Sequence, residues 1–305
     1  MKPRTLWVLI ILFVVALSSV YAKEGCDQYA YGAENWSTGI LPPPGTYFLN
    51  YAGYYTGTLK DGSGDKVSIG GNAVTVDAVF DALRVVEVTP YKFLGADWGL
   101  HAIVPLVWQS VDLGGTASKF GVGDIDIDPI VLGWHGKNKK WHAVFALDTI
   151  FPTGPYNQND PRVSIGTHYV TVQPLLALTL LPGQGWETSA KSMFDANTTN
   201  GATNYHSGNE FHFDYVAGKH IGHLALGVSG YYLKQLEDDT VNGQVVAANP
   251  GFWDLGRKGQ AFSAGPSVAY STKKHLEFIF QYQHEMAVRN RFGGDKAWFK
   301  MIIPL

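Results

Sequence analysis

Asp124, Asp126 and Asp128 stand at every second position, a spacing that could bind a cation or line a polar passage. They are placed like the start of a calcium-binding loop. Such a loop needs Gly at its sixth position and Glu at its twelfth, where this chain has Pro129 and His135. On an extended strand the same spacing puts all three carboxylates on one face. They therefore read as an acidic patch turned toward an enclosed polar space, with a calcium site as the second reading. A similar alternation carries Glu210, His212 and Asp214, and neighbouring strands could bring Glu187 and Lys191 toward them. Glu277, Gln281 and Gln283 form a further polar series. All these side chains except Gln283 are candidates for lining a solute path; the plainer reading is that they hydrate and cross-link the interior.

Other chemistry finds little support. His220 and His223 are spaced like two metal ligands, but they bracket a tight turn and lack a nearby third donor. Nucleophilic hydrolysis would want a Gly-x-Ser-x-Gly elbow or an outward Ser/His pair, and neither is evident. The sequence gives no reason to expect a catalytic residue, a metal or a cofactor. Cys26 is the single cysteine, so neither an intrachain disulfide nor a cysteine zinc cluster is available.

The elements that must position these groups show a period of two. Leu276, Phe278, Phe280 and Tyr282 alternate with Glu277, Ile279, Gln281 and Gln283, while Phe211, Phe213 and Tyr215 alternate with Glu210, His212 and Asp214. Twelve such segments are expected, over 45–56, 74–91, 98–111, 120–134, 141–151, 169–181, 186–195, 208–217, 223–237, 261–270, 275–285 and 296–305. Their connections alternate strictly: long or polar at 57–73, 112–119, 152–168, 196–207, 238–260 and 286–295, short between. In an up-and-down sheet every second connection lies at the same end, so one end is elaborated and the other trimmed.

That pattern predicts an all-β, up-and-down antiparallel transmembrane barrel of about 12 strands. A soluble sandwich or lipocalin-like barrel could satisfy the alternation too. Twelve strands, however, make a ring too wide for side chains alone to fill, and a polar lumen suits it better. Trp98, Trp108, Trp134, Trp141, Trp186 and Trp298 read as strand-end aromatics of membrane girdles. Phe299, Met301, Ile303 and Leu305 share one face, as a final lipid-facing strand would require.

Composition agrees. Only 16% of the 305 residues are charged, against roughly 25% in soluble domains, and formal charge is −3, so nucleic acid is not expected as a partner. The apolar residues are dispersed. A spanning helix needs about 20 in succession, and the sole long run lies at the N-terminus. There Lys2 and Arg4 precede Leu6 to Leu17 and a small-residue stretch ending at Ala22, so residues 1–22 read as an export leader. Residues 23–44, with Trp36 and Pro42-Pro43-Pro44, are not strand-like and are expected to be a periplasmic segment or a plug in the lumen; the barrel occupies 45–305.

Several motifs resemble one family. They are Phe120-Gly121-Val122-Gly123-Asp124-Ile125 with Pro129 and Gly133-Trp134-His135, Phe151-Pro152-Thr153-Gly154-Pro155-Tyr156, Ile165-Gly166 and Pro174. They continue with Tyr205-His206-Ser207-Gly208-Asn209-Glu210, the run Gln235 to Asp239, and Gly265-Pro266-Ser267-Val268-Ala269-Tyr270. In these the chain resembles the outer-membrane proteins named for the meta-pathway of phenol degradation. The resemblance implies an outer-membrane location and transport of hydrophobic compounds. The expected function is then uptake of small hydrophobic or aromatic solutes, with outer-membrane lipid, lipopolysaccharide and the barrel-assembly machinery as partners. The alternative is a non-conducting barrel whose loops serve adhesion or sensing.

Overall fold

Strands with one apolar and one polar face are satisfied when the first meets lipid and the second an enclosed polar space. The chain does this with twelve antiparallel strands. The computed structural model describes residues 27–305; the expected leader and Cys26 lie outside the described residues. The strands are β1 (Gly45–Lys60), β2 (Thr75–Phe93), β3 (Ala96–Asp112) and β4 (Thr116–Val122 and Ile125–His135). Then come β5 (Trp141–Phe151), β6 (Thr171–Gly183), β7 (Trp186–Asn197), β8 (Glu210–Ile221), β9 (Leu224–Gln235), β10 (Gln260–Ser271), β11 (Glu277–Arg289) and β12 (Arg291–Pro304). Each pairs with its sequence neighbour. β1 also pairs with β12 from Tyr47↔Pro304 to Lys60↔Arg291, which closes the sheet and removes its edges. No helix among the described residues is long and apolar enough to cross a membrane.

The two faces divide as the alternation requires. Leu176, Val228 and Phe280 point outward and are 57%, 51% and 54% exposed, while Glu210, His212 and Asp214 are fully buried inside. Backbone amides are satisfied by the closed ladder, so the outer face can be apolar without orphaned polar groups. Tight turns suit one end. Leu94-Gly95 and Gln184-Gly185 have positive φ at both residues, as a two-residue hairpin turn that matches strand twist demands.

Three expectations need correction. The segments 112–119 and 286–295 are largely strand: β3 and β4 are joined through 113–115, and β11 and β12 through Asn290 alone. The Gly293-Gly294 pair, turn-like in isolation, is held extended because it pairs with Thr58 and Gly57 of β1 across the closure. Strict alternation of long and short connections is thereby lost, although the longest ones, 61–74, 152–170, 198–209 and 236–259, still share one end. Finally, Trp298 is not a girdle residue. It lies mid-strand, points inward, is 1% exposed and packs edge-on against Phe80 at 4.8 Å between centroids.

At the elaborated end, carboxylates staple the loops. The N–H groups of Gly154 and Thr167 donate to Asp124 at 2.8 Å each, and Thr167 Oγ1 adds a third bond of 2.8 Å. Asp239 accepts from Gly208 N–H at 2.9 Å and Gln235 Nε2 at 2.7 Å. All of these residues but Thr167 belong to the sequence motifs quoted above, so part of those motifs is loop anchoring.

Candidate functional site: the barrel lumen

Residues 27–41 lie inside the ring of strands, whereas Pro43 and Pro44 are exposed. Tyr31, Ala33, Asn35, Trp36 and Leu41 are buried, and nearly every polar group nearby meets the wall. Tyr31 Oη donates to Glu210 Oε2 at 2.8 Å. Asp214 accepts three bonds, from Tyr29 Oη at 2.9 Å, Gly32 N–H at 2.8 Å and Glu34 N–H at 3.0 Å. Ser37 N–H donates to Glu187 at 2.6 Å, and Lys300 Nζ donates to the Ala33 carbonyl at 2.6 Å. Trp36 needs a flat seat, and the paired Gly218 and Gly227 supply it. A Cβ on Gly218 would fall 2.2 Å from the indole. The indole N–H then reaches Ser267 Oγ at 2.7 Å.

Glu34 is the charged centre of this contact. Its Oε2 accepts from Lys191 Nζ at 2.8 Å, while Oε1 accepts from Tyr51 Oη at 2.9 Å and pairs with Arg84. Burial alone would raise its carboxyl, but Arg84 and Lys191 outweigh that and hold it well below the ordinary carboxylate range. Tyr29 and Tyr31 move the other way. Burial first, then Asp214 for Tyr29 and Glu210 for Tyr31, push both phenols up, so they remain neutral donors.

The sequence candidates are distributed unevenly. Glu210, His212, Asp214 and Lys191 converge, with His212 packed on the rings of Tyr29 and Tyr31 at 5.0 and 4.8 Å. Its Nε2 lies 3.3 Å from Asp195. Lys191 stands opposite Asp214 in register yet gives its ammonium to Glu34. Glu187 sits apart from this group, bonded to His220 Nε2 at 2.6 Å and to Ser189. Glu277 is half-buried near Glu187, His220 and Lys300, and Gln281 donates to Ser229 Oγ at 3.0 Å and to Asn35. Asp128 is fully buried beside His101, Asp126 is one inward position away, and Asp124 belongs to the loops. His220 and His223 do not converge on a common site: His223 faces the Ser271 carbonyl.

Sequence reasoning missed Tyr29, Tyr31, Glu34, Arg84, His101, Asp148, Lys296 and Lys300. Arg84 and His101 stood in apolar strands at positions whose inward face was legible. The partners of Glu34 could not be read, because its segment has no period.

Between residues 27–31 and the loop residues Arg162 and Ile165 the lumen opens into a cavity of about 320 Å³. Val76, Phe80, Pro105 and Val107 of β2 and β3 form one wall. Tyr55, Tyr231, Glu285, Arg291 and Lys296 form the other, and Arg291 and Lys296 lie 5.1 and 5.0 Å from the ring centroids of Tyr31 and Tyr231.

Closed strands, an apolar belt and a polar lumen define an outer-membrane β-barrel of the channel class. Over residues 56–301 the chain matches, and belongs to, the family described as MetA-pathway of phenol degradation. Among solved structures it is similar to an outer membrane channel from Pseudomonas putida F1, with 14% identity, 89% of this chain and 99% of the other covered, and a TM-score of 0.73. A β domain of the Bordetella autotransporter BrkA (8% identity, 86% and 99% covered, TM-score 0.47) and the NalP translocator domain from Neisseria meningitidis (9%, 87% and 90%, 0.46) are more distant barrels. No curated protein matches the chain in sequence.

Proposed function

We propose that the barrel takes up small hydrophobic or aromatic solutes and that residues 27–44 are the plug gating its lumen. The observation that carries this reading is the two-sided cavity: an apolar wall of β2 and β3 faces tyrosines and cations across about 320 Å³, room for a single small ring compound. An apolar body would lie on Val76 and Phe80, and a polar substituent would meet Tyr55, Tyr231 or Lys296. Below it, Tyr29 and Tyr31 form the cavity floor, so onward passage requires residues 27–36 to shift.

The membership of the family supports a transport role, and the cavity supports the solute class. Solute uptake into liposomes by the purified barrel, compared for an aromatic compound and a sugar of similar size, tests both. Faster entry of the aromatic is expected. Conduction of neither solute, even after removal of residues 27–44, would favour a non-conducting barrel with binding loops.

A further inference from the structure

His101 of β3, Asp128 of β4 and Asp148 of β5 meet on the lumen wall, with side chains 1%, 0% and 2% exposed. His101 Nε2 lies 3.2 Å from Asp148 Oδ1 and 3.9 Å from Asp128 Oδ2, and one donor atom from each residue falls within 4.8 Å of the other two. The strands are bent to bring this about. His101 and Asp128 are opposed in register, but the ladder shifts between Gly99 and His101 and again between Ile127 and Val131, around Pro129, which has no N–H to give. Asp128 fills the gap, accepting from Ile130 N–H at 2.6 Å and Leu147 N–H at 3.0 Å.

What remains is unsatisfied. Asp148 Oδ1, turned to the imidazole, has no hydrogen-bond partner; neither has His101 Nδ1, nor Asp126 Oδ1 one inward position along β4. The surrounding carboxyls also outnumber the cations. Arg84 and Lys191 are the nearby cations, and both are engaged by Glu34. With all four carboxyls ionised, Glu34, Asp126, Asp128 and Asp148 face these two fixed positive charges, and two negative charges are left over when His101 is neutral. Buried uncompensated charge is costly, and one divalent cation would cancel it.

We propose that His101, Asp128 and Asp148 bind one divalent transition-metal cation of the Mn²⁺ to Zn²⁺ class, with Asp126 as an additional oxygen donor. Donors at about 2.0–2.2 Å around a tetrahedral ion stand roughly 3.4 Å apart, and the 3.2 and 3.9 Å separations bracket that value. An imidazole among carboxylates favours this class over Mg²⁺ or Ca²⁺, which prefer oxygen alone. The ion would staple β3, β4 and β5 where their ladder is interrupted.

The test is Zn²⁺ binding to the full chain, purified in detergent and stripped of metal. One Zn²⁺ per chain is expected, with affinity at least tenfold lower in His101→Ala and in Asp148→Asn, whose heat-shifted gel mobility reports that the barrel has formed. His135→Ala serves as the control, because His135 and His142 touch through their ring nitrogens at 2.6 Å elsewhere on β4 and β5. Zinc lost in that variant and kept in the other two would overturn the proposal, as would no zinc above background in the native chain. X-ray absorption of the native zinc-loaded barrel decides without any variant: one imidazole with oxygen donors is expected, and two imidazoles would assign the metal to the other pair.

Discussion

Glu34 Oε2 accepts a hydrogen bond from Lys191 Nζ at 2.8 Å, fixing a residue of the N-terminal segment to the middle of β7. The same carboxylate serves Arg84 and Tyr51, so its removal leaves two buried cations without a partner. Glu34→Ala is expected to weaken docking of residues 27–44 by about 3–5 kcal/mol, the range for breaking a buried pair from one side. Single-channel recording should show longer open times, and protease should reach the segment. Unchanged conductance together with easier proteolysis would mean that the segment fills the lumen without gating it.

Acid should loosen the same contact. The docked Glu34 carboxyl lies well below 4.5, its ordinary value, whereas an undocked one is close to that value. A group depressed in the docked state contributes its full stabilisation above the free value and loses it as pH falls through the docked one. Open probability is therefore expected to rise on acidification below about pH 4.5 and to be flat, as far as this group is concerned, from pH 5 to 8. Opening on alkalinisation across that interval would contradict the assignment.

On β8 one residue's step separates lumen from lipid. Phe213→Arg would place a cation on the lipid face, at roughly 2–4 kcal/mol near mid-membrane, and should reduce the yield of folded barrel several-fold. His212→Ala should assemble at near-normal yield. Asp214→Ala should also assemble but release Tyr29, Gly32 and Glu34, seen as protease sensitivity at residues 27–36. Heat-dependent gel migration separates assembly from docking, and normal assembly of Phe213→Arg would reverse the inside and outside faces.

Orientation can be read by labelling. Tags at Asn159 or Asn242, both exposed in the long connections, should be reached from outside intact cells, and tags at Gly183 or Lys273, in the tight turns, should not. Labelling at Gly183 on intact cells would invert the topology.

The sequence by itself determined the barrel, because a period of two is a property of each strand alone: Phe211, Phe213 and Tyr215 cannot share a face with Glu210, His212 and Asp214. It also fixed which residues of each strand turn inward, since register follows from keeping every apolar face on lipid. Only the tertiary structure decided what those inward residues touch. Lys191 lies opposite Asp214 yet pairs with Glu34, 157 positions earlier, and His101 meets Asp148 through two interrupted ladders. The extended Gly293-Gly294 pair and the packing of Trp298 on Phe80 depend likewise on β1 and β2, far away in the chain. Alternation is local and survives in one dimension, whereas a lumen is defined by closure. Contacts across it are set by ring geometry and by a segment without a period, and neither is written in the spacing of any one strand.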